Sequence, residues 1–254
     1  MSEALPNNEA FPSSEAIKFG WQTMKKNIGF FVIIFLIGLM VYMVPDYVNK
    51  KIAKDAPLLA FVIALAAWVL QMIISLGYTK ISLKLCDEQK PEMGDLFSCY
   101  PLFLRFLLSG IIYSALCFLA CLPAFIAFSQ MYFHRLPQLH GAKGALAAPF
   151  SPPLSILGSV GFLISIPLVI YVSVAFGFYV FFIVDKNSGP VEALKKSAQI
   201  SRGKRFRIFL FFVTLTVINI LGAVALLIGL VVSIPTTMVA SAYFYRKLAG
   251  QAGA

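Results

Sequence analysis

Residues 208–245 read IFLFFVTLTVINILGAVALLIGLVVSIPTTMVASAYFY, 38 residues without one Asp, Glu, Lys, Arg or His. As one α-helix the stretch would measure roughly 57 Å at about 1.5 Å per residue. That is nearly twice a hydrocarbon core of about 30 Å. The reading is therefore two membrane spans, with the break expected at 227–232. There Gly229 permits a turn, and Pro235 suits the first turn of a new helix.

Working outward, four more charge-free runs reach the roughly 17–25 residues that a spanning helix needs. They are 28–44, 58–76, 106–128 and 154–184. The expected fold class is an all-α integral membrane protein with six transmembrane helices arranged as three hairpins. Composition agrees: 59% of residues are hydrophobic, 13% are charged, and there are 24 Phe. An ordinary soluble domain has roughly 45–50% and about 25% in the first two classes. Mean hydropathy is +0.85, so the chain lacks the polar surface to cover itself in water.

The cations orient the spans. Sixteen of the 21 Lys and Arg fall before the first span, between even and odd spans, or after the last, against five in the other loops. This positive-inside bias puts both termini on the cytoplasmic side. Residues 1–13 read as a disordered cytoplasmic tail and 14–250 as one membrane domain. The polar, Glu-containing start has no apolar h-region and does not read as a signal peptide. Cys86 and Cys99 fall on the cytoplasmic side, and Cys117 and Cys121 within the membrane, so no disulfide framework is implied.

The chain also echoes itself. Glu15-Ala16-Ile17-Lys18 aligns with Glu192-Ala193-Leu194-Lys195, and the register carries Gln22 onto Gln199 and Lys25 onto Arg202. In the first copy Ile17, Trp21 and Met24 share one helical face, while Lys18, Gln22 and Lys25 share another. A looser copy, Gly94–Arg105, sets Leu96, Phe97, Tyr100 and Leu104 before the third span. Gly77-Tyr78, Gly177-Phe178 and Ala242-Tyr243 recur where spans end. The first two run on to Asp87 then Pro91, and to Asp185 then Pro190. Three units are expected, approximately 14–90, 91–189 and 190–250, each a cytoplasmic interfacial amphipathic helix followed by a hairpin.

Gly189-Pro190-Val191-Glu192-Ala193-Leu194-Lys195-Lys196-Ser197 precedes basic residues and a Phe/Leu-rich span. Asn219-Ile220-Leu221-Gly222, Gly229 and Ile234-Pro235 follow. This pattern resembles a group of uncharacterised bacterial multi-pass membrane proteins related to the membrane-anchor domain of certain glycerophosphodiester phosphodiesterases. The likeness runs over most of the chain, and its specific part lies within 185–247. In those phosphodiesterases catalysis belongs to a separate soluble barrel, and no part of this sequence reads as one. The resemblance implies a membrane architecture and no activity.

Little chemistry is on offer within the spans. Every ionisable residue can be placed in a loop or at a helix end, which removes the usual acid–base pairs and the buried carboxylates of coupled transporters. Gln71 and Asn219 are the intramembrane amides, suited to bonding between helices or to lining a polar path. Gly110, Ser114, Cys117 and Cys121 form a small-residue stripe expected to pack helices. Gly161 with Ser165, and Ser173 with Gly177, are expected to do the same in the fourth span. Pro123 and Pro167 should kink their helices. His134 and His140 lie in the expected outside loop 129–153, without Asp, Glu or Cys to complete a metal shell. No metal and no cofactor are expected.

The strongest surface feature is the basic belt Lys195, Lys196, Arg202, Lys204, Arg205 and Arg207. Each cation near anionic headgroups contributes about 1 kcal/mol. Membrane lipids, anionic ones in particular, are the expected partners. Nucleic acid is not, because the net charge of +10 follows the membrane boundary. The expected function is non-enzymatic: lipid binding or membrane organisation, with transport of an uncharged or amphiphilic substrate as the alternative.

Overall fold

The computed structural model describes residues 13–141, 152–225 and 228–252. Nine α-helices fill them, and no strand occurs among the described residues. In chain order they are α1 (Ser13–Lys26), α2 (Ile28–Ile52), α3 (Pro57–Cys86), α4 (Phe103–Gly141) and α5 (Pro152–Phe176). Then follow α6 (Tyr179–Lys186), α7 (Pro190–Ser201), α8 (Arg205–Val224) and α9 (Ile228–Ala252). Among the described residues five segments are long and apolar enough to cross a membrane: Ile28–Ile52, Pro57–Cys86, Met93–Ser129, Ser159–Lys186 and Arg205–Val224.

Local chemistry sets the boundaries. Asn27 interrupts α1 and α2, its side-chain amide donating to the Thr23 carbonyl at 3.0 Å. Pro57 and Pro190 open α3 and α7 at positions where a missing N–H costs nothing. α2 packs on α3, α4 on α5 and α8 on α9.

Burial is concentrated at one end of the bundle, here called the capped end. In α3 the residues Leu76, Ile81, Leu83 and Leu85 are buried, whereas Leu58, Leu59, Phe61, Val62 and Leu65 stand exposed. In α9 Val239, Phe244, Tyr245 and Leu248 are buried. Aromatic rings fill the capped end: Phe211 and Phe244 stack with centroids 4.1 Å apart, and Tyr245 stacks on Phe181 at 5.0 Å. The exposed rows elsewhere are apolar, a surface that suits hydrocarbon rather than water.

Five expectations need correction. The chain does turn within 208–245, but between Val224 and Ile228, ahead of the expected 227–232. Gly229 lies inside the first turn of α9 instead. A Cβ there would come within 2.7 Å of the Gly222 backbone, so its role is close packing of α8 on α9. Pro235 lies seven residues into α9 and not at its first turn.

The run 154–184 is also interrupted, at Gly177–Phe178 between α5 and α6. Buried Ser197 of α7 fills the break, its hydroxyl donating to the Ala175 carbonyl at 3.0 Å and accepting from the Phe178 N–H at 3.1 Å. One side chain thus satisfies a backbone acceptor and a backbone donor at the interruption.

The Gly94–Arg105 stretch is not a helix of its own. It forms two 3-10 turns, Met93–Leu96 and Tyr100–Leu102, before α4 begins at Phe103. Pro101 lacks the N–H that a continuous helix would use. Leu96 is buried, and Phe97, Tyr100 and Leu104 are exposed.

On α1 the buried positions are Ala16, Gly20 and Met24, and Trp21 is exposed. Small residues win the contact because α1 lies against the α9 backbone. A Cβ on Gly20 would collide with the Thr236 carbonyl oxygen. Finally, α4 continues as helix to Gly141, past the expected loop start at 129.

Candidate functional site

Three ion-pair groups tie the capped end together. Arg246 of α9 reaches two carboxylates: its Nη1 donates to Asp185 of α6 at 2.7 Å, and its Nη2 to Asp87 at the end of α3 at 2.6 Å. The Tyr245 hydroxyl donates to the other Asp185 oxygen at 3.0 Å. The Arg246 Nε is buried without a partner.

On the neighbouring side Glu15 of α1 accepts from Lys247 at 2.8 Å and from Tyr243 at 2.7 Å. Those bonds to Lys247 and Tyr243 hold its carboxyl below the usual glutamate range. Asp95, in the first 3-10 turn, pairs with Lys84 of α3 at 2.7 Å and accepts from the Glu92 N–H. These carboxylates are engaged by cations and hydroxyls, an arrangement that holds helices together rather than one poised to move protons. Sequence reasoning missed the clusters. The signal was the aligned Asp87 and Asp185, while Arg246 and Lys247 were read only as orientation charges.

The basic belt spans the α7–α8 turn. Lys195, Arg202 and Arg207 are exposed. Lys196 pairs with Glu192 at 2.7 Å and donates to Ser188 at 3.1 Å. Arg205 lays its guanidinium over the Tyr171 ring, 4.4 Å from the centroid, with its Nε buried and unpartnered. Burial, then the nearby Arg207, pulls the Lys204 ammonium below its ordinary range. The turn is made by Gly203 at φ +78°, and apolar α8 begins at once, with Phe206 72% exposed.

The intramembrane amides lie apart. Asn219 of α8 donates to the Thr237 hydroxyl of α9 at 3.3 Å. Gln71 lines a cleft of about 410 Å³ between α2, α3 and α9, with Ser75, Tyr78, Ile234, Pro235 and Met238. Neither Asn219 nor Thr237 is among the residues that line that cleft.

Among the described residues the α4 stripe does not pack against another helix along its length. A Cβ on Gly110 would meet open space, Ser114 and Cys121 are exposed, and Cys117 is half-buried. The α4–α5 contact includes Pro123, Ala124 and Ala127. There Gly161 does pack: its Cβ would come within 2.6 Å of Ala127. Ser165 is buried and accepts from the Ala124 N–H at 3.0 Å, just past Pro123, where the proline ring crowds the preceding turn. Gly177 lies against Phe212 of α8, and Ser173 accepts from the Tyr113 hydroxyl at 3.5 Å.

The side chains of His134 and His140 lie outside the described residues, as does the tail 1–12. Among the described residues no three His, Cys, Asp or Glu gather as a metal site, and the four cysteines are free.

No curated protein and no solved structure matches the chain. A family model described as "Protein of unknown function (DUF975)" matches residues 13–252. The match covers every described helix, the ion-pair clusters and the basic belt alike, and the chain belongs to the DUF975 family.

Proposed function

We propose that the chain is a non-enzymatic, six-span protein of the bacterial inner membrane that binds anionic lipid at its cytoplasmic face. The carrying observation is the belt: Lys195, Arg202 and Arg207 stand exposed at the turn from which apolar α8 departs. Cations at such a boundary sit at headgroup depth, where each contributes about 1 kcal/mol toward an anionic surface. Arg205 lies over Tyr171 and Lys196 pairs with Glu192, and Lys195, Arg202 and Arg207 are the members of the belt most open to a headgroup.

In this reading α9 is the sixth span, the capped end faces the cytoplasm and both termini are cytoplasmic, in line with the distribution of Lys and Arg. The three units close into a ring. The lead-in of each lies on the span end of another: α1 on α9, the Met93–Leu96 turn on α3, and α7 on α5 and α6. Asp87, Asp185 and Arg246, one from each unit, meet at the centre. The likeness to phosphodiesterase membrane anchors concerns this architecture and not a reaction.

The test replaces Lys195, Lys196, Arg202, Lys204, Arg205 and Arg207 together by Gln and counts phosphatidylglycerol retained per protein after detergent washing. Loss of three effective contacts of about 1 kcal/mol each predicts a fall of about a hundredfold in affinity, with helix content unchanged. Unchanged retention would reduce the belt to an orientation signal.

A further inference from the structure

The cleft between α2, α3 and α9 has no part in headgroup binding at the belt, yet its lining is selective. It is a three-walled space of about 410 Å³ with no Asp, Glu, Lys, Arg or His on its walls. Phe35, Leu39, Ile74, Pro235 and Met238 supply an apolar surface.

Its polar side chains are Tyr42, Gln71, Ser75 and Tyr78. Tyr78 spends its proton on the Ile34 carbonyl at 3.0 Å, which fixes one wall and leaves the hydroxyl no donor for a ligand. Gln71 and Ser75 are one helical turn apart on the same face of α3. Among the described residues the Gln71 amide makes no hydrogen bond. In hydrocarbon an amide without a partner costs several kcal/mol, so a group that both donates and accepts is favoured beside it. A charged head would be disfavoured in this charge-free site.

We infer that the cleft binds one neutral, hydroxyl-bearing lipid of the diacylglycerol class, with its hydroxyl and ester carbonyls at Gln71 and Ser75. Its acyl part lies along the α2 and α9 walls. A free hydroxyl supplies the donor that the Gln71 carbonyl needs, and the esters accept from the amide N–H groups. Phosphatidylcholine offers acceptors alone and carries a charged head, so it fits less well.

The experiment places the full chain in phosphatidylcholine nanodiscs with a trace of diacylglycerol bearing a diazirine in one acyl chain. Adducts are mapped by mass spectrometry, and a parallel sample uses the same photoactive chain on phosphatidylcholine. The diacylglycerol probe is expected to label cleft residues such as Leu39, Ile74 and Met238 several-fold more than the phosphatidylcholine probe. Gln71→Leu is expected to cut that excess about fivefold, the equivalent of one hydrogen bond. This substitution adds an apolar group in an apolar span and keeps the fold, read by circular dichroism. Met238→Trp, which fills the cleft, should abolish the excess, and should it fail to fold, Gln71→Leu decides alone. Equal labelling by both probes would overturn the inference. So would adducts spread over the outward-facing Met40, Val62 and Leu65, or an excess indifferent to Gln71→Leu. The belt variant should leave cleft labelling intact, so failure of either reading is seen separately.

Discussion

Arg246→Met is expected to destabilise the folded chain by about 2–3 kcal/mol, at the lower end of the range for breaking a buried ion pair because the side chain is partly exposed. The guanidinium holds Asp87 and Asp185 at 2.6 and 2.7 Å, and the Asp185 side chain is only 11% exposed. Met replaces the stem but leaves Asp87 and Asp185 facing each other with only the more exposed Lys186, 3.6 Å from Asp185, to offset them. The Tyr245 hydroxyl still donates to Asp185, which bonds that oxygen without neutralising it. The loss should be read as a lower melting temperature in detergent. Adding Asp87→Asn and Asp185→Asn to Arg246→Met should recover most of it, since neutral amides need no cation. If Arg246→Met melts with the wild type, the three helix ends are held by packing alone.

Gly77→Val should cost at least as much, about 3 kcal/mol, at the top of the usual range for overpacking. A Cβ at Gly77 would fall 2.5 Å from the Leu96 Cα and 2.6 Å from its carbonyl carbon. Backbone is what it strikes, so no rotamer change relieves the clash. Leu96 is itself fully buried, and its turn is pinned by the Lys84–Asp95 pair at 2.7 Å. Gly94→Ala and Gly110→Ala are the controls. Both meet open space, and each should move the melting temperature little. A Gly77→Val protein that melts with these controls would contradict the close approach of α3 to the Met93–Leu96 turn.

The helical class and the long apolar elements were legible in the sequence because absence of charge over a bilayer's width has few other readings. The boundaries were less legible, since side chains distant in sequence set them. Nothing in 154–184 announces that Ser197 will fill a break at Gly177–Phe178. Gly229 looked like a turn residue because its contact, Gly222, lies across an interface that sequence spacing does not display. The Gly110–Cys121 stripe had the right residue types, but among the described residues the α4–α5 contact runs through Pro123, Ala124 and Ala127. The basic belt was plain as a charge run. That Arg205 lies over Tyr171 and Lys196 pairs with Glu192 needed coordinates. Arg246 was read as an orientation charge. Only the convergence of three helix ends makes it a central contact.

The most direct measurement is native mass spectrometry of the chain extracted gently with its own lipids. The account predicts retained lipid of an anionic class in a defined ratio to protein, lost from the variant with all six belt cations replaced. A wild-type particle that emerges bare, or that carries lipids in the proportions of the bulk membrane, would contradict it.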